Sequence, residues 1–273
     1  MKKGILFIIG FCSILNAKAQ YLEVGLQAGG MFYSGDLSHT IGGTLRETHP
    51  AIGLFIKQNF SDYFALEGHF NYSQISGRDK NAKEEDLVKR DLSFQSTIME
   101  LGAQAEYNFQ GYQPYGMYQP FSPYAFLGIN ATIFNPKTRY NNAWEYLQPL
   151  QTEGVAYKKV AISIPLGFGI KYALNDTWNV GAFFGWRPTL SDYLDDVSGK
   201  YLSKSDLLAK SGATAANLGN KVDAATGIQR GDDRKFDMYH FLGVSISYNF
   251  TDNGLIGVRR ARRGKAGCKQ SLF

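Results

Sequence analysis

The chain carries eight segments in which apolar and polar residues alternate, each about long enough to cross a bilayer as a β-strand. The last segment, 236–250, shows the pattern best: its even-numbered positions are almost all apolar and its odd-numbered positions are more polar or small. Successive side chains of a strand point to opposite faces. Since a bilayer admits only helices and closed barrels, the pattern predicts an all-β fold, a transmembrane antiparallel up-and-down β-barrel of about eight strands.

The lengths of the connections predict how the barrel is oriented. The strand segments cover about 22–35, 51–60, 64–73, 99–109, 124–134, 159–172, 178–187 and 236–250. The connections 60–63 and 174–177 are tight turns, whereas 36–50, 76–91, 135–158 and 188–235 are long. Bacterial barrels have short periplasmic turns and long outer loops, so both chain ends are expected in the periplasm. The connection 110–122 is long for a periplasmic turn, and its prolines and aromatic residues predict a packed loop.

The amino terminus has the three parts of a secretory signal peptide. Lys2 and Lys3 precede an apolar stretch, 5–15, and Ala17-Lys18-Ala19 matches a small-x-small cleavage site. We therefore expect a signal peptide over 1–19, an outer-membrane barrel over 20–250 and a basic periplasmic tail over 251–273.

Charge and composition narrow the class of protein further. The formal net charge is +5, but the signal peptide carries three lysines and the tail a net +5, which leaves −3 on residues 20–250. A mean hydropathy of −0.25 and a hydrophobic share of 44% exclude a bundle of membrane helices, and an aromatic share of 14% suits strands with interfacial aromatic belts. No basic patch is interleaved with aromatic residues, so nucleic acid is not an expected partner.

Seven charged residues fall on inward-facing strand positions. Side chains nearly fill the interior of an eight-stranded barrel, whereas a selective conduit needs a wider one. The charges therefore predict a buried ion-pair plug. They are Lys57, Glu67, Glu100, Glu106, Lys159, Lys171 and Arg187.

Catalytic and metal sites have little support in the sequence. His69 and Glu67 share a face, as in hydrolases that orient an imidazole, but the sequence identifies no nucleophile, and an interior structural histidine is the better interpretation. Asp192, Asp195 and Asp196 lack the alternating acceptors of a calcium loop, so a turn is the better interpretation there. We expect no enzyme activity, no cofactor, no metal and no small-molecule substrate.

The tail supplies candidate partner-binding residues. Cys268 would be the sole cysteine after signal removal, in an oxidising compartment, and an intermolecular disulfide and a free thiol are about equally supported. The preceding arginines would speed encounter with an acidic surface. The candidates are Cys268, Arg259, Arg260, Arg262 and Arg263.

Three stretches resemble a known family. They are Gly-Gly-Met-Phe-Tyr-Ser-Gly-Asp-Leu at 29–37, the segment 192–199 followed by Tyr201, and Arg230-Gly231 with 237–250. Together they resemble PorG-like proteins, outer-membrane barrels of the type IX secretion system of Bacteroidota. The resemblance covers essentially the whole barrel and does not extend to the tail.

The resemblance implies a non-enzymatic assembly component embedded in outer-membrane lipid. Its partners would be the periplasmic ring proteins, the PorK lipoprotein and PorN, which the barrel would tether to the outer membrane. Two alternatives are an OmpA-like structural or adhesive barrel that acts through its outer loops, and a lipid-modifying enzyme that would need His69 beside a hydroxyl.

Overall fold

The alternating segments form the strands of a single antiparallel sheet. The computed structural model describes residues 21–38, 40–114, 117–232 and 236–250. The strands are β1 (Tyr21–Ser34), β2 (His49–Asn59), β3 (Phe64–Arg78), β4 (Ser93–Asn108), β5 (Phe121–Tyr140), β6 (Ala143–Tyr146), β7 (Val160–Ser163), β8 (Leu166–Ala173), β9 (Trp178–Pro188) and β10 (Met238–Phe250). The helices are α1 (Ile41–Arg46), α2 (Glu85–Arg90) and α3 (Lys204–Gly219), and single 3₁₀ turns cover Asp79–Asn81 and Gln148–Leu150.

The sheet closes on itself. β1 pairs with β2 on one side and with β10 on the other, from Leu22 opposite Phe250 to Ser34 opposite Met238. The ring continues through β3, β4, β5, β8 and β9, and every connection is antiparallel. The prediction of an antiparallel barrel of about eight strands is therefore confirmed.

One predicted strand is broken in two. β7 and β8 follow one another along β5, and residues 164 and 165 separate them. Pro165 has no N–H to donate to the ladder, but its carbonyl oxygen accepts a hydrogen bond from Gly128 N at 2.8 Å. The two short strands together occupy one place in the ring of eight.

Several strands extend beyond their predicted ends. β3 continues to Arg78, β4 begins at Ser93, and β5 runs to Tyr140 and turns back into β6. The turn uses Asn141 and Asn142, both with positive φ (49° and 64°), as hairpin turns of this kind require. The loops 76–91 and 135–158 are thus shorter than predicted, because the outward positions of these extensions are polar and their apolar residues, such as Ile75 and Phe94, are buried in the core, so the alternation of the belt is not continued.

The outside of the ring is an apolar belt. Large apolar side chains on every strand of the ring point outward and are exposed. Leu101, for example, is 66% exposed and Val244 is 61% exposed. Aromatic side chains gather at the end with the short turns, namely Phe64, Tyr107, Phe109, Phe121, Trp178, Tyr248 and Phe250. An apolar band bordered by aromatic residues is the outer surface of a transmembrane barrel.

The two ends of the barrel differ. The turn end carries the short turns after β2 and β8, the start of β1 and the end of β10. The other end is covered by the four long connections 35–48, 79–92, 147–159 and 189–237, which we call the lid. Within the described residues, no helix has the length and apolarity to cross a membrane.

The closed ring and its apolar belt determine how the protein should behave in detergent. We expect extraction only with detergent, a strand-dominated circular dichroism spectrum and faster gel migration before boiling than after it, because the closed ring resists unfolding by the detergent of the gel. A boiled aliquot of the same sample is the control. Full solubility without detergent would contradict the barrel.

Candidate functional site

Four charged side chains meet inside the barrel near the short turns, and we call them the turn-end network: Lys57, Glu67, Glu106 and Lys171. Lys57 and Glu67 are cross-strand partners of β2 and β3, and Lys57 Nζ lies 3.1 Å from Glu67 Oε2. Glu106 pairs with both lysines, with Oε1 2.6 Å from Lys57 Nζ and Oε2 2.8 Å from Lys171 Nζ. All four side chains are buried, so their charges are compensated within the network.

Two tyrosine rings close the turn-end network. Lys171 Nζ lies 4.9 Å from the ring centroid of Tyr112 and 5.0 Å from that of Tyr124. Tyr112 belongs to the long connection between β4 and β5, and its hydroxyl donates to Asn179 Oδ1 at 2.7 Å. The backbone N–H of Tyr112 donates to Asp62 O at 2.8 Å, which ties this connection to the turn after β2. The connection therefore packs into the end of the barrel.

The centre of the barrel is organised around one carboxylate, Glu100 of β4. Its oxygens accept hydrogen bonds from Asn71 Nδ2 at 3.1 Å, Asn130 Nδ2 at 2.7 Å, Tyr239 OH at 2.7 Å and Arg187 Nε at 3.0 Å. We call these five residues the central network. Four donors from β3, β5, β10 and β9 satisfy a carboxylate completely, so the network joins opposite walls of the barrel.

Little open space is left between the two networks. A cavity lined by Lys57, Glu67, His69 and Arg187, among others, admits the centre of a water molecule in only about 10 Å³. That volume is at the lower limit for one buried water. Ion pairs, amides and aromatic rings thus occupy the interior at this level.

The structure places six of the seven predicted interior charges inside the barrel and one outside. Lys159 is exposed, and its prediction as an interior charge is wrong. Lys159 is the last residue of the lid connection that precedes β7. Its backbone carbonyl oxygen accepts a hydrogen bond from Phe134 N at 2.9 Å. The alternation of β7 was extended one residue too far.

One interior carboxylate was missed by the sequence reasoning. Glu23 of β1 is buried, accepts a hydrogen bond from Asn59 Nδ2 at 3.3 Å and accepts another from the hydroxyl of Ser247. Its odd-numbered position on β1, opposite the outward Leu22 and Val24, was a usable signal.

His69 sits between a carboxylate and an amide. Its Nδ1 lies 3.6 Å from Glu67 Oε1, and its Nε2 is 3.1 Å from Asn130 Oδ1. Within the part of the chain that the structure describes, His69 makes no hydrogen bond to a hydroxyl group. This geometry fits an interior structural histidine.

Two arginines tie the loops of the lid together. Arg90 donates to Asp79 through Nε and Nη2, both at 2.7 Å, and through Nη1 to the carbonyl of Arg230. Arg230 donates through Nη1 to Glu153 Oε1 at 2.8 Å and to Asp196 O at 2.7 Å. Because these residues come from three different connections, the lid is one cross-linked layer.

A tyrosine and two aspartates join the lid to the barrel wall. Tyr33 OH on β1 contacts Asp195 Oδ2 at 2.8 Å and also Asp237 Oδ1. The Tyr33 hydroxyl has one proton and can donate it to only one of the two carboxyl groups. The other contact becomes a hydrogen bond when that carboxyl group is protonated and donates to the Tyr33 oxygen. Burial raises the pKa of Asp195 and of Asp237 well above the usual range, and the charge of Asp237 raises that of Asp195 further.

The neighbouring aspartates are acidic groups of the same kind. Burial raises the pKa of Asp192 to about 7 and that of Asp196 to about 6, the latter despite the opposing charge of Arg230. Asp196 accepts a hydrogen bond from Tyr157 OH at 2.7 Å and another from the hydroxyl of Thr152. Asp195 Oδ1 accepts one from Val197 N at 2.9 Å, as an aspartate in a turn does. No group of metal-ligating side chains occurs within the described residues.

The candidate residues of the tail, Cys268, Arg259, Arg260, Arg262 and Arg263, lie outside the described residues, as does the predicted signal peptide.

Comparison with known sequences assigns the chain to a family. The profile described as "Domain of unknown function (DUF6089)" matches residues 2–209. The chain belongs to this family. A search of curated proteins finds no match.

Solved structures with a similar outline are barrel proteins of bacteria. Neisserial surface protein A is 8% identical with a TM-score of 0.39, covering 85% of this chain and 97% of its own. The outer membrane protein OprG of Pseudomonas aeruginosa is 13% identical (TM-score 0.39; 85% and 96% covered). A major outer membrane protein of Thermus thermophilus is 13% identical (TM-score 0.40; 84% and 99% covered). The fold assignment itself rests on the strand pairing described above.

Removing one partner of the central network should destabilise the barrel. Arg187→Ala leaves the Glu100 carboxylate buried with three donors and should cost about 3 kcal/mol in the free energy of unfolding. Urea unfolding of the protein in lipid vesicles measures this loss. Arg46→Ala, at an exposed position at the end of α1, is the matched control and should change stability by less than about 0.5 kcal/mol.

A double variant tests whether the cost comes from the unpaired charge. In Arg187→Met with Glu100→Gln, both charges are gone, so the loss should be smaller than in Arg187→Ala. Equal losses in both variants would show that packing, and not the buried carboxylate, decides the stability.

The lid should loosen as pH rises. Four of its aspartates, Asp192, Asp195, Asp196 and Asp237, have raised pKa values. At these groups the folded lid binds more protons than the unfolded lid, so its stability falls as pH rises from the ordinary pKa of about 4 to the raised pKa values. Limited proteolysis of the lid in vesicles should be faster at about pH 8 than at about pH 5.5.

A substitution assigns that pH effect to the aspartates. Asp195→Asn removes one of the two charges around Tyr33 and should reduce the difference between the two pH values. Asp223→Asn, at an exposed lid position, should leave the difference unchanged. An Asp195→Asn protein with the full difference would place the titrating group elsewhere.

Proposed function

We propose that this protein is a non-enzymatic outer-membrane barrel that anchors a periplasmic assembly of the type IX secretion system, the ring of the PorK lipoprotein and PorN. The observation that carries the proposal is the filled interior. A barrel whose lumen is occupied by the turn-end and central networks is poorly suited to conduct a solute. Its surfaces are then the parts available for function.

The apolar belt supports a location in the outer membrane. Closed barrels with this outer surface insert in a bilayer, and a secretory signal at 1–19 directs the chain out of the cytoplasm. In such barrels the short turns face the periplasm. This rule places the turn end, with the first residue of β1 and the last residue of β10, on the side where a periplasmic ring would stand.

The segments that resemble PorG-like proteins come together in the structure. Tyr33 belongs to the first segment, Asp195 to the second and Asp237 to the third, and the hydroxyl of Tyr33 contacts both aspartates. The resemblance thus follows a set of contacts that joins the lid to the barrel wall. Its residues are used in packing, which agrees with a role other than catalysis.

The turn end offers a docking surface. The connection between β4 and β5 presents Tyr118, which is 81% exposed, and is anchored by the buried Tyr112. Phe250, the last residue of β10, lies at this end, and the sequence that follows it contains four arginines and Cys268. We propose that the arginines bring an acidic partner surface to this end and that Cys268 forms a disulfide with it.

The tail and its cysteine can be tested in native membranes. Crosslinked membranes should yield the ring proteins with the full chain, and deletion of 251–273 should weaken that recovery while the barrel still inserts. Non-reducing gels should show a heavier adduct that Cys268→Ser abolishes. A chain with the exposed lid residue Lys200 replaced, Lys200→Gln, is the control and should recover the ring in full.

Two outcomes would contradict the docking proposal. If the tail-deleted chain recovers the ring in full and no adduct forms, the tail has no part in docking. If no ring protein is recovered with the full chain and removal of the lid segment 204–219 abolishes cell attachment, the barrel is adhesive and acts through its outer loops.

A further inference from the structure

A groove lies at the lid-side end of the barrel wall, above the apolar belt. It has a volume of about 440 Å³ and is bounded by the extended ends of β3, β4, β5 and β6 and by residues of the lid. Its lining includes four cationic side chains and one carboxylate, namely Arg78, Lys80, Arg139, Lys221 and Asp91. The groove is therefore positively charged.

The position of the groove relative to the belt is set by the strand register. Ile133 of β5 faces Met99 of β4, and both are exposed apolar residues of the belt. Lys137 faces Gln95 four residues further along, about 13 Å of extended strand. In a membrane-inserted barrel this is the level of the lipid headgroups of the lid-side leaflet.

Two cations of the lining, Arg78 and Arg139, are available to a ligand, whereas Lys80 and Lys221 pair with Asp91. Arg139 and its neighbour Lys137, which lies beside the lining, stack on the lining residue Trp144, with Arg139 Cζ 5.5 Å and Lys137 Nζ 4.7 Å from its ring, and within the described residues neither is paired with a carboxylate. Arg78 is paired with Glu47, with Nε 3.1 Å from Oε1, but its side chain is 60% exposed. Exposed ion pairs of this kind contribute little and exchange readily for a stronger anion.

The rest of the lining suits an amphipathic headgroup. Trp144 is 47% exposed, and an exposed tryptophan at this height is typical of a membrane interface. Leu92 and Phe94 form a buried floor, whereas Ser93 and Thr138 offer hydroxyl groups. Guanidinium and ammonium groups around such a floor match phosphate groups carried on a sugar.

We propose that this groove binds the phosphorylated sugar headgroup of a glycolipid in the outer leaflet. Arg78, Lys137 and Arg139 contact the phosphates, and Trp144 packs against the sugar. The inference uses only the membrane orientation of the proposed function and is independent of the periplasmic ring. A bound glycolipid would hold the extended β3–β6 wall in the leaflet and strengthen the anchor.

Native mass spectrometry of the full mature chain in a non-ionic detergent tests the site. The titrants are bis-phosphorylated lipid A, mono-phosphorylated lipid A, phosphatidylglycerol and inorganic phosphate. We expect the bis-phosphorylated lipid to bind more tightly than the other three, and its binding to weaken as salt is raised. Inorganic phosphate binding as tightly as the bis-phosphorylated lipid would overturn the assignment to a lipid.

Matched triple variants test the residues. Arg78→Gln, Lys137→Gln and Arg139→Gln together should weaken binding of the bis-phosphorylated lipid by at least about tenfold. Lys89→Gln, Lys158→Gln and Lys200→Gln remove the same charge from exposed sites outside the groove lining and should change it less than about twofold. Equal weakening in both sets, or none in the first, would refute the groove.

Two further measurements keep the result interpretable. Heat-modifiable migration confirms that each variant is folded, and Lys137→Gln with Arg139→Gln replaces the triple variant if that one does not fold. Lys80→Cys in a Cys268→Ser background, labelled on intact cells by an impermeant thiol reagent, reports which side the groove faces. Absent labelling would refute the orientation shared with the proposed function, whereas labelling without lipid binding would refute the groove alone.

Discussion

Closure of the backbone hydrogen-bond ladder is the constraint on which the rest of the structure depends. Each of the eight strand positions in the ring is paired on both sides. The closing pair, β1 with β10, joins residues that are 204 to 228 positions apart in sequence. Closure allows the outer surface to be apolar, since no backbone group has to find a partner in lipid. Closure also creates an interior so narrow that side chains fill it, and the inward charged side chains must therefore form ion pairs with one another. The apolar belt and the filled lumen are two consequences of the same ring.

The interior and the lid reduce the free-energy cost of burying charged groups in different ways. Inside the barrel, Glu106 lies between two lysines and Glu100 accepts four hydrogen bonds, so the carboxylates are compensated by donors on facing strands. In the lid, Asp195 and Asp237 share one tyrosine, and burial favours their protonated forms. A fully compensated interior is rigid over a wide pH range, whereas the packing of the lid depends on protons. The packing that resists a change of pH is thus in the barrel interior, and the packing that responds to pH is in the lid.

The sequence predicted the parts in which hydrophobicity alternates and missed the parts in which it does not. The ring of eight strands followed from the apolar belt, and the inward position of Glu100 followed from its neighbours on β4. Beyond the belt the outward positions are polar, and an apolar residue such as Ile75 is buried in the core instead, so the extensions of β3 to Arg78 and of β5 to Tyr140 did not continue the pattern of the belt. Lys159 was misplaced at such a boundary. Arg90 and the carbonyl of Arg230 are 140 residues apart in sequence and lie in irregular loops, so no local sequence pattern predicts their contact.

We propose that the barrel is an anchor with a filled lumen and not a conduit. Single-channel recording of the wild-type protein in planar bilayers tests it most directly, with the Arg187→Ala protein recorded in parallel. With the turn-end and central networks in place, the wild-type protein should show no steady conductance, and loss of one arginine should not create any, because Glu100 and its three other donors still occupy the lumen. A steady conductance from the wild-type protein would show that the lumen is open and would contradict this account.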